Sequence, residues 1–439
     1  MKIVVAGTGY VGLVTGVCLA KVGHNVVCID INEEKIYKMK NGISPIYEPG
    51  LEEIMVEMHE KGNLNFTTDY KNSYKNADVI FIGVGTPEKA DGSANLEYIY
   101  KVVDQIIESA EKSCLVVIKS TVPIGTNKEI ELYINEKIAE KGIKIEVASN
   151  PEFLAQGTAV NDTLHAKRIV VGVESEDAKN ILREIYEPFN IPIVITNRES
   201  AEMIKYASND FLALKISFMN EIANLCEIIG ANIEDVAKGM SYDDRIGKKF
   251  LKAGVGYGGS CFPKDTKALH WLAENNGHEL KTIKATIEVN ENQKYKLLKK
   301  SRRKFKSFKN LNVAFLGLTF KPGTDDLREA PSIPNMRVLL DEGANIKAYD
   351  PVGVENFKKI FKGEKNLKYV QTPEEALEDA DVAFVFTEWK QITGVELKKY
   401  KELMKKAIIF DGRNCYKLEE AISANVEYHS IGRNTIFME

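Results

Sequence analysis

Lys2-Ile3-Val4-Val5-Ala6-Gly7-Thr8-Gly9-Tyr10-Val11-Gly12 opens the chain. Its first five residues read as a buried parallel strand. Three glycines follow at once in the spacing G-x-G-x-x-G, and a helical pattern then runs to about Val22 and stops at Gly23, a capping glycine. A second strand, Val26-Val27-Cys28-Ile29, ends in Asp30. A glycine triplet alone is weak evidence, but strand, glycine turn, helix, strand and acid in this order describe a dinucleotide-binding unit. The glycines let backbone N–H groups approach a pyrophosphate at the helix N-terminus. The Asp30 carboxylate accepts hydrogen bonds from ribose hydroxyls and repels a 2′-phosphate, so the expected cofactor is NAD, with Gly7, Gly9, Tyr10, Val11, Gly12 and Asp30 against it.

Working outward, apolar strands recur at 79–84, 115–118, 145–148, 169–173 and 193–195, with helical stretches between several of them. This alternation predicts a doubly wound parallel sheet. Thr86-Pro87 and Ser120-Thr121-Val122-Pro123 follow two of these strands, where ligands sit in such sheets. From Arg198 to Ile229 there is no Gly or Pro, and Ile204, Ala207, Phe211, Leu214, Phe218, Ile222, Leu225 and Ile229 recur at helical spacing. One long amphipathic helix, ended by Gly230, is predicted, its apolar stripe available to a second subunit. Further on, Asn312 to Gly317 parallels the opening strand, Gly343 to Asp350 parallels Gly23 to Asp30, and Ala380 to Val385 parallels Ala77 to Ile82. The second unit has Gly317-Leu318-Thr319-Phe320-Lys321-Pro322 in place of the glycine triplet, so it should hold a different ligand or none. The expectation is an α/β chain with two Rossmann-like parallel-sheet domains, 1–196 and 307–439, joined by a central helical domain, 197–306.

Composition fits this reading. The 439 residues are 44% hydrophobic and 28% charged, with a formal net charge of −4, which argues against disorder and against a general nucleic-acid binder. The basic run from Lys299 to Lys306 reads as a solvated helix face or linker. Six cysteines form no C-x-x-C pair and no zinc-like cluster with histidine, so no metal is expected and a reducing cytoplasm fits. Cys18, Cys28, Cys114 and Cys226 lie in apolar stretches and read as buried thiols. No apolar run approaches the ~20 residues of a membrane span, and the glycine-broken N-terminus is a poor signal peptide.

Gly254-Val255-Gly256-Tyr257-Gly258-Gly259-Ser260-Cys261-Phe262-Pro263-Lys264-Asp265 is the most unusual stretch. The glycines make no core and no regular element, and they allow a ligand close to the backbone. Cys261 follows them directly, and a nearby cation favours the nucleophilic thiolate. Lys205 and Asn209 are one turn apart on the long helix and share a face.

These segments, with Lys119 to Thr126, Ser149 to Leu154, Glu202 to Asn209 and Phe320 to Glu329, resemble the UDP-glucose/GDP-mannose dehydrogenase family in order and over nearly the whole chain. The cysteine loop is similar to the form that acts on UDP-glucose, the alternatives being GDP-mannose and UDP-N-acetylmannosamine. The resemblance implies oxidation of UDP-glucose to UDP-glucuronate with two NAD, the second step passing through a thiohemiacetal and a thioester on Cys261. It implies that Lys205 and Asn209 stabilise charge on the reacting oxygen, and that Asp265 and Glu152 handle water or protons. By the same resemblance Thr121 lies near the cofactor and the catalytic water, and Lys35 lies by the adenosine ribose. Thr86, Pro87, Lys264 and Arg328 are also implied against the cofactor. Phe320, Lys321 and Arg413 would hold the nucleotide sugar, with Tyr257 beside the uracil and Arg245 offered by a neighbouring subunit. Phe153, Leu154, Phe250, Lys252 and Gly258 complete the implied substrate contacts. Many relatives carry glutamate where this chain has Gln156, which can hydrogen-bond but takes no proton at neutral pH. The implied architecture is a homodimer through the central helices, with substrate and cofactor meeting in the cleft between the outer domains.

Overall fold

The computed structural model describes residues 1–438, in two compact units, Met1–Ser208 and the remainder from Asn209. The first is built on a sheet of eight strands: β1 (Lys2–Ala6), β2 (Asn25–Ile29), β3 (Leu64–Thr67), β4 (Val79–Ile82), β5 (Cys114–Ile118), β6 (Ile145–Ser149), β7 (Ile169–Gly172) and β8 (Ile193–Thr196). Their order is β3-β2-β1-β4-β5-β6-β7-β8, parallel throughout except where β7 meets β6. The second unit holds β9 (Asn312–Leu316), β10 (Asn345–Tyr349), β11 (Leu367–Tyr369), β12 (Val382–Val385), β13 (Ile408–Asp411) and β14 (Glu427–His429), ordered β11-β10-β9-β12-β13-β14 and parallel. The expected α/β class and both doubly wound sheets are present, and the internal parallels are structural: β9, β10 and β12 repeat the places of β1, β2 and β4. β3, β11, β13 and β14 add to the strands expected from the sequence, and β3, β11 and β14 lie at sheet edges.

β4 is apolar and fully enclosed, and β1 and β5 are enclosed after their first residues, as strands covered on both faces by helices must be. The opening helix (Tyr10–Lys21) packs on β1 and β2 and ends where Gly23, at φ 104°, donates its N–H to the Ala20 carbonyl. The long helix spans Arg198–Ile229, 32 residues, ending before Gly230.

Which face of the long helix is buried reverses the usual pattern. Glu202, Lys205, Asn209, Asp210, Ser217 and Asn220 are enclosed, whereas Phe211, Phe218 and Leu225 are 61%, 47% and 49% exposed. The helix buries these polar residues together with Ala201, Tyr206, Ala213, Met219, Ala223 and Cys226, and leaves Phe211, Phe218 and Leu225 of its apolar stripe open. Polar burial on this scale calls for partners, and most of these residues have them: Glu202 accepts from the N–H groups of Gly125 and Asn127, Lys205 pairs with Glu152, and Asn209 donates to Asp265. Two other expectations are corrected. Cys114, at the start of β5, is only half-buried, unlike Cys18, Cys28 and Cys226. The basic run is not simply solvated: Lys300 is enclosed, with its Nζ 3.0 Å from Glu227, and Lys304 reaches Glu427 at 2.6 Å. Alternating ion pairs tie down what the composition suggested was a free surface.

Candidate active site

At the end of β1 the three glycines have three different jobs. A Cβ on Gly12 would stand 2.0 Å from the Gly7 carbonyl oxygen, so this glycine lets the helix close onto the strand. Gly7, at φ 93°, makes the turn. Gly9 has an ordinary φ of −77°, and a Cβ there would meet nothing within 4 Å. The chain itself gives no reason for a bare residue at Gly9; a ligand approaching the backbone does. Beside it, Asp30 Oδ2 accepts from the Thr8 backbone N–H at 3.0 Å and the Thr8 hydroxyl at 2.6 Å, while Oδ1 accepts from Asn32 N–H at 3.0 Å. Partial burial pushes this carboxyl up, but the Thr8 and Asn32 bonds and the Lys35 charge outweigh it and hold Asp30 below the usual carboxylate range. One lone-pair direction on Oδ1 stays available. Residues, charge and open space fit an NAD adenosine and pyrophosphate.

Two ion-paired carboxylates lie further along the chain, one in each unit. In the first, the loop after β6 carries Glu152, whose Oε1 accepts from Lys205 Nζ at 2.8 Å and whose Oε2 accepts from Leu154 N–H at 2.7 Å. Lys205 Nζ also stands 5.5 Å from the centre of the Phe153 ring. Both members of the pair are enclosed, so breaking it would cost about 3–5 kcal/mol. In the second unit, Asp265 is 1% exposed, its Oδ2 accepting from Asn209 Nδ2 and its Oδ1 from Lys264 Nζ, each at 2.6 Å. Asp265 lies one turn into the helix Phe262–Asn275, and its N–H bonds the Cys261 carbonyl. Cys261 is the N-cap of that helix and stays partly exposed, its Sγ 3.6 Å from Ser260 Oγ. Unpaired N–H groups at such a position favour negative charge.

Residues 1–190 match the NAD binding domain of the UDP-glucose/GDP-mannose dehydrogenase family, 199–292 its central domain and 314–418 its UDP binding domain. UDP-glucose 6-dehydrogenase YwqF of Bacillus subtilis (strain 168) is 51% identical over 99% of this chain and 98% of its own length. The chain belongs to the UDP-glucose/GDP-mannose dehydrogenase family. It is therefore an NAD-dependent dehydrogenase. Among solved structures, a UDP-glucose dehydrogenase from Pyrobaculum islandicum superposes with a TM-score of 0.91 at 35% identity, covering 99% of this chain and 98% of that one. A UDP-D-ManNAc dehydrogenase from Pyrococcus horikoshii follows at 0.87 and 28%, covering 99% of each.

Other residues singled out from the sequence fall into place unevenly in this family member. Thr86 and Thr121 meet at the ends of β4 and β5, the Thr86 hydroxyl donating to the Thr121 carbonyl at 2.8 Å. Pro87 is exposed beside them, and the Tyr10 hydroxyl donates to the Tyr47 carbonyl at 2.5 Å. Arg413 spends its guanidinium on the backbone oxygens of Phe386, Gly256 and Phe320, clamping the cysteine loop to the tip of the second sheet. Lys321 Nζ lies 5.6 Å from the Phe320 ring centre, and Arg328 is paired with Asp326. Tyr257 is buried, edge-on to Phe262, and Phe250 also packs on Phe262 from a left-handed backbone. Arg245 is brought to none of these; its side chain is 90% exposed and bonds only Asp243 of its own turn, while Lys252 is likewise exposed.

The cysteine loop corrects the reading of its glycines. Residues 253–259 are enclosed, so they do form core. A Cβ on Gly256 would come within 2.7 Å of Asn290 Oδ1, on Gly258 within 2.5 Å of the Glu329 carbonyl, and on Gly259 within 2.7 Å of the Phe320 ring. The chain's own contacts require these glycines. The loop's backbone is satisfied by three amides the sequence did not advertise: Asn220 accepts from Gly254 N–H, Gln293 donates to the Gly254 carbonyl, and Asn290 clamps both polar groups of Tyr257. In the first unit the overlooked residue is Lys119, fully enclosed and donating to Asn150 at 3.2 Å. Burial, reinforced by Lys205, pulls its ammonium down to about 8 against the opposing pull of Glu152.

Proposed function

We propose that this family member oxidises UDP-glucose to UDP-glucuronate, reducing two NAD at one site. The observation that carries the reading is the pairing of each buried carboxylate with a residue of one helical turn, Glu152 with Lys205 and Asp265 with Asn209. The relatives' names supply the sugar nucleotide. When bound, NAD accepts the hydride in each oxidation. Lys205 and Asn209 stabilise the charge that develops on the C6 oxygen as its proton leaves. The Cys261 thiolate then adds to the aldehyde carbon, and the resulting thiohemiacetal loses a hydride to become a thioester. Asp265, one turn from Cys261, takes one proton from the water that cleaves the thioester; the thiolate leaves, and the new carboxylic acid gives the second proton to solvent. Glu152 keeps Lys205 oriented throughout.

Arg413, Phe320 and Lys321 serve the nucleotide end of the substrate in this proposal, with Arg328 and Lys264 toward the cofactor. The three-part division at 196/197 and 306/307 follows the same roles. Contiguous exposed apolar surface marks an interface, and the open stripe Phe211–Phe218–Leu225 supports a homodimer through the central helices. Arg245, exposed on the same unit and held only by Asp243 of its own turn, would then serve a neighbouring subunit.

The test is a comparison of kcat/KM with excess NAD for UDP-glucose, GDP-mannose and UDP-N-acetylmannosamine. UDP-glucose should lead by at least ~100-fold, a discrimination expected of sites that hydrogen-bond each hydroxyl. A higher value for either other sugar would move the assignment within the family.

A further inference from the structure

Asp210 follows Asn209 on the long helix and is 1% exposed. Neither of its carboxyl oxygens has a hydrogen-bond partner. A buried carboxylate with no hydrogen bond from the chain to either oxygen is among the least tolerable buried groups, whereas a neutral acid is not. The charged and titratable groups around it are Asp265 and Lys264 on the cysteine helix and Tyr257 in the glycine loop, whose hydroxyl is bonded to Thr266 and Ser217. Both Asp265 oxygens are already held, one by Asn209 and one by Lys264. The cluster therefore has two carboxyl groups and one lysine.

We propose that Asp210 is a positioning residue that stays a neutral acid while the enzyme turns over, leaving Asn209 and Lys264 to Asp265 alone, and that its ionisation in alkali switches the site off. This rests on the reading of Asn209 and Asp265 given above. Burial first, and the Asp265 charge second, push the Asp210 carboxyl up to about 8, with Lys264 opposing. Ionisation releases one proton to solvent and places a second negative charge in the cluster. That charge competes with Asp265 for Lys264 and opposes negative charge on the reacting oxygen and on the Cys261 sulfur.

The test compares the full-length wild type with D210N, which keeps the shape and cannot ionise. Infrared difference spectra at pH 6.5 should show a carboxylic-acid carbonyl band in the wild type that D210N lacks, disappearing as pH rises through about 8. In rate profiles with UDP-glucose, the ratio of variant to wild-type kcat should rise roughly tenfold from pH 7 to pH 9, the loss expected of an acid titrating between them. Because the folded-state pKa lies above the unfolded one, wild-type stability falls as pH climbs from about 4 to about 8, and the D210N melting temperature should gain on it over that range. Absence of the band, or a flat kcat ratio, overturns the proposal. If UDP-glucose is not turned over at all, the functional reading fails while the band still decides the state of Asp210. Should D210N not fold, Asp210→Ser carries the same comparisons.

Discussion

β1 and β9 occupy the same place in two sheets whose order corresponds over six strands, yet their tips are built for different purposes. After β1 the helix begins at once, at Tyr10; after β9, which ends at Leu316, it does not begin until Ser332. The first strand therefore ends on a helix N-terminus and the second on a long turn. The two acids closing the neighbouring strands differ as much. Asp30 keeps an open direction and a bare glycine opposite. Asp350 accepts from Leu318 N–H at 2.7 Å, Thr319 N–H at 3.1 Å and hydroxyl at 3.2 Å, Trp389 Nε1–H at 3.0 Å, and the N–H groups of Val352 and Gly353. Its carboxylate is saturated by the chain and has nothing left for a ribose. The same topology thus yields one acid that recognises a ligand and one that fastens a turn.

The comparison breaks most visibly at Asp350. Asp350→Ala strands several buried donors and should cost about 4 kcal/mol, lowering Tm by roughly 10 °C in calorimetry. A loss below about 1 kcal/mol would mean the acid is not structural. Next comes a crossed pair of glycines. Gly9→Val should raise the KM for NAD by about a hundredfold while leaving Tm within ~2 °C, because no chain atom opposes the new side chain and only a ligand does. Gly317→Ala should do the reverse, costing about 3 kcal/mol with the NAD KM unmoved: its φ is 88° and the added carbon would lie 2.5 Å from Thr387. Matching effects in both variants would erase the distinction. The smallest effect is expected at Asp30. Asp30→Asn should raise the KM for NAD about tenfold and narrow the preference over NADP, by initial rates. Its folded pKa is depressed, so its stabilising contribution is present above about pH 4 and lost only as pH falls below that, and the wild-type KM for NAD should not respond to this group between pH 5 and 8.

Much of this was legible in the sequence because it is local. The glycine triplet, the capping Gly23 and the glycine-free run from Arg198 to Ile229 are each read within a few turns of chain. The repeat of Asp30 by Asp350 was legible too, but its saturation was not, since Trp389 arrives from a distant segment. The cysteine loop was misread for the same reason: the atoms that forbid a Cβ belong to Asn290, Phe320 and Glu329. Periodicity found the apolar stripe of the long helix and left it available to a second subunit, but gave no sign of the polar residues enclosed on the other face. A stripe at helical spacing marks a face that is buried in something, and here the chain buries the other one. Lys205 and Asn209 were reachable only through their resemblance to a family, and Asp210 beside them looked like any polar helix residue until its enclosure was seen.

The most direct test of the central claim is the number of NADH formed per UDP-glucose consumed with NAD in excess, in the wild type and in Cys261→Ala. The account predicts two in the wild type, with the second oxidation collapsing in the variant. One NADH in the wild type, or two in Cys261→Ala at an undiminished rate, would contradict a covalent second oxidation at Cys261.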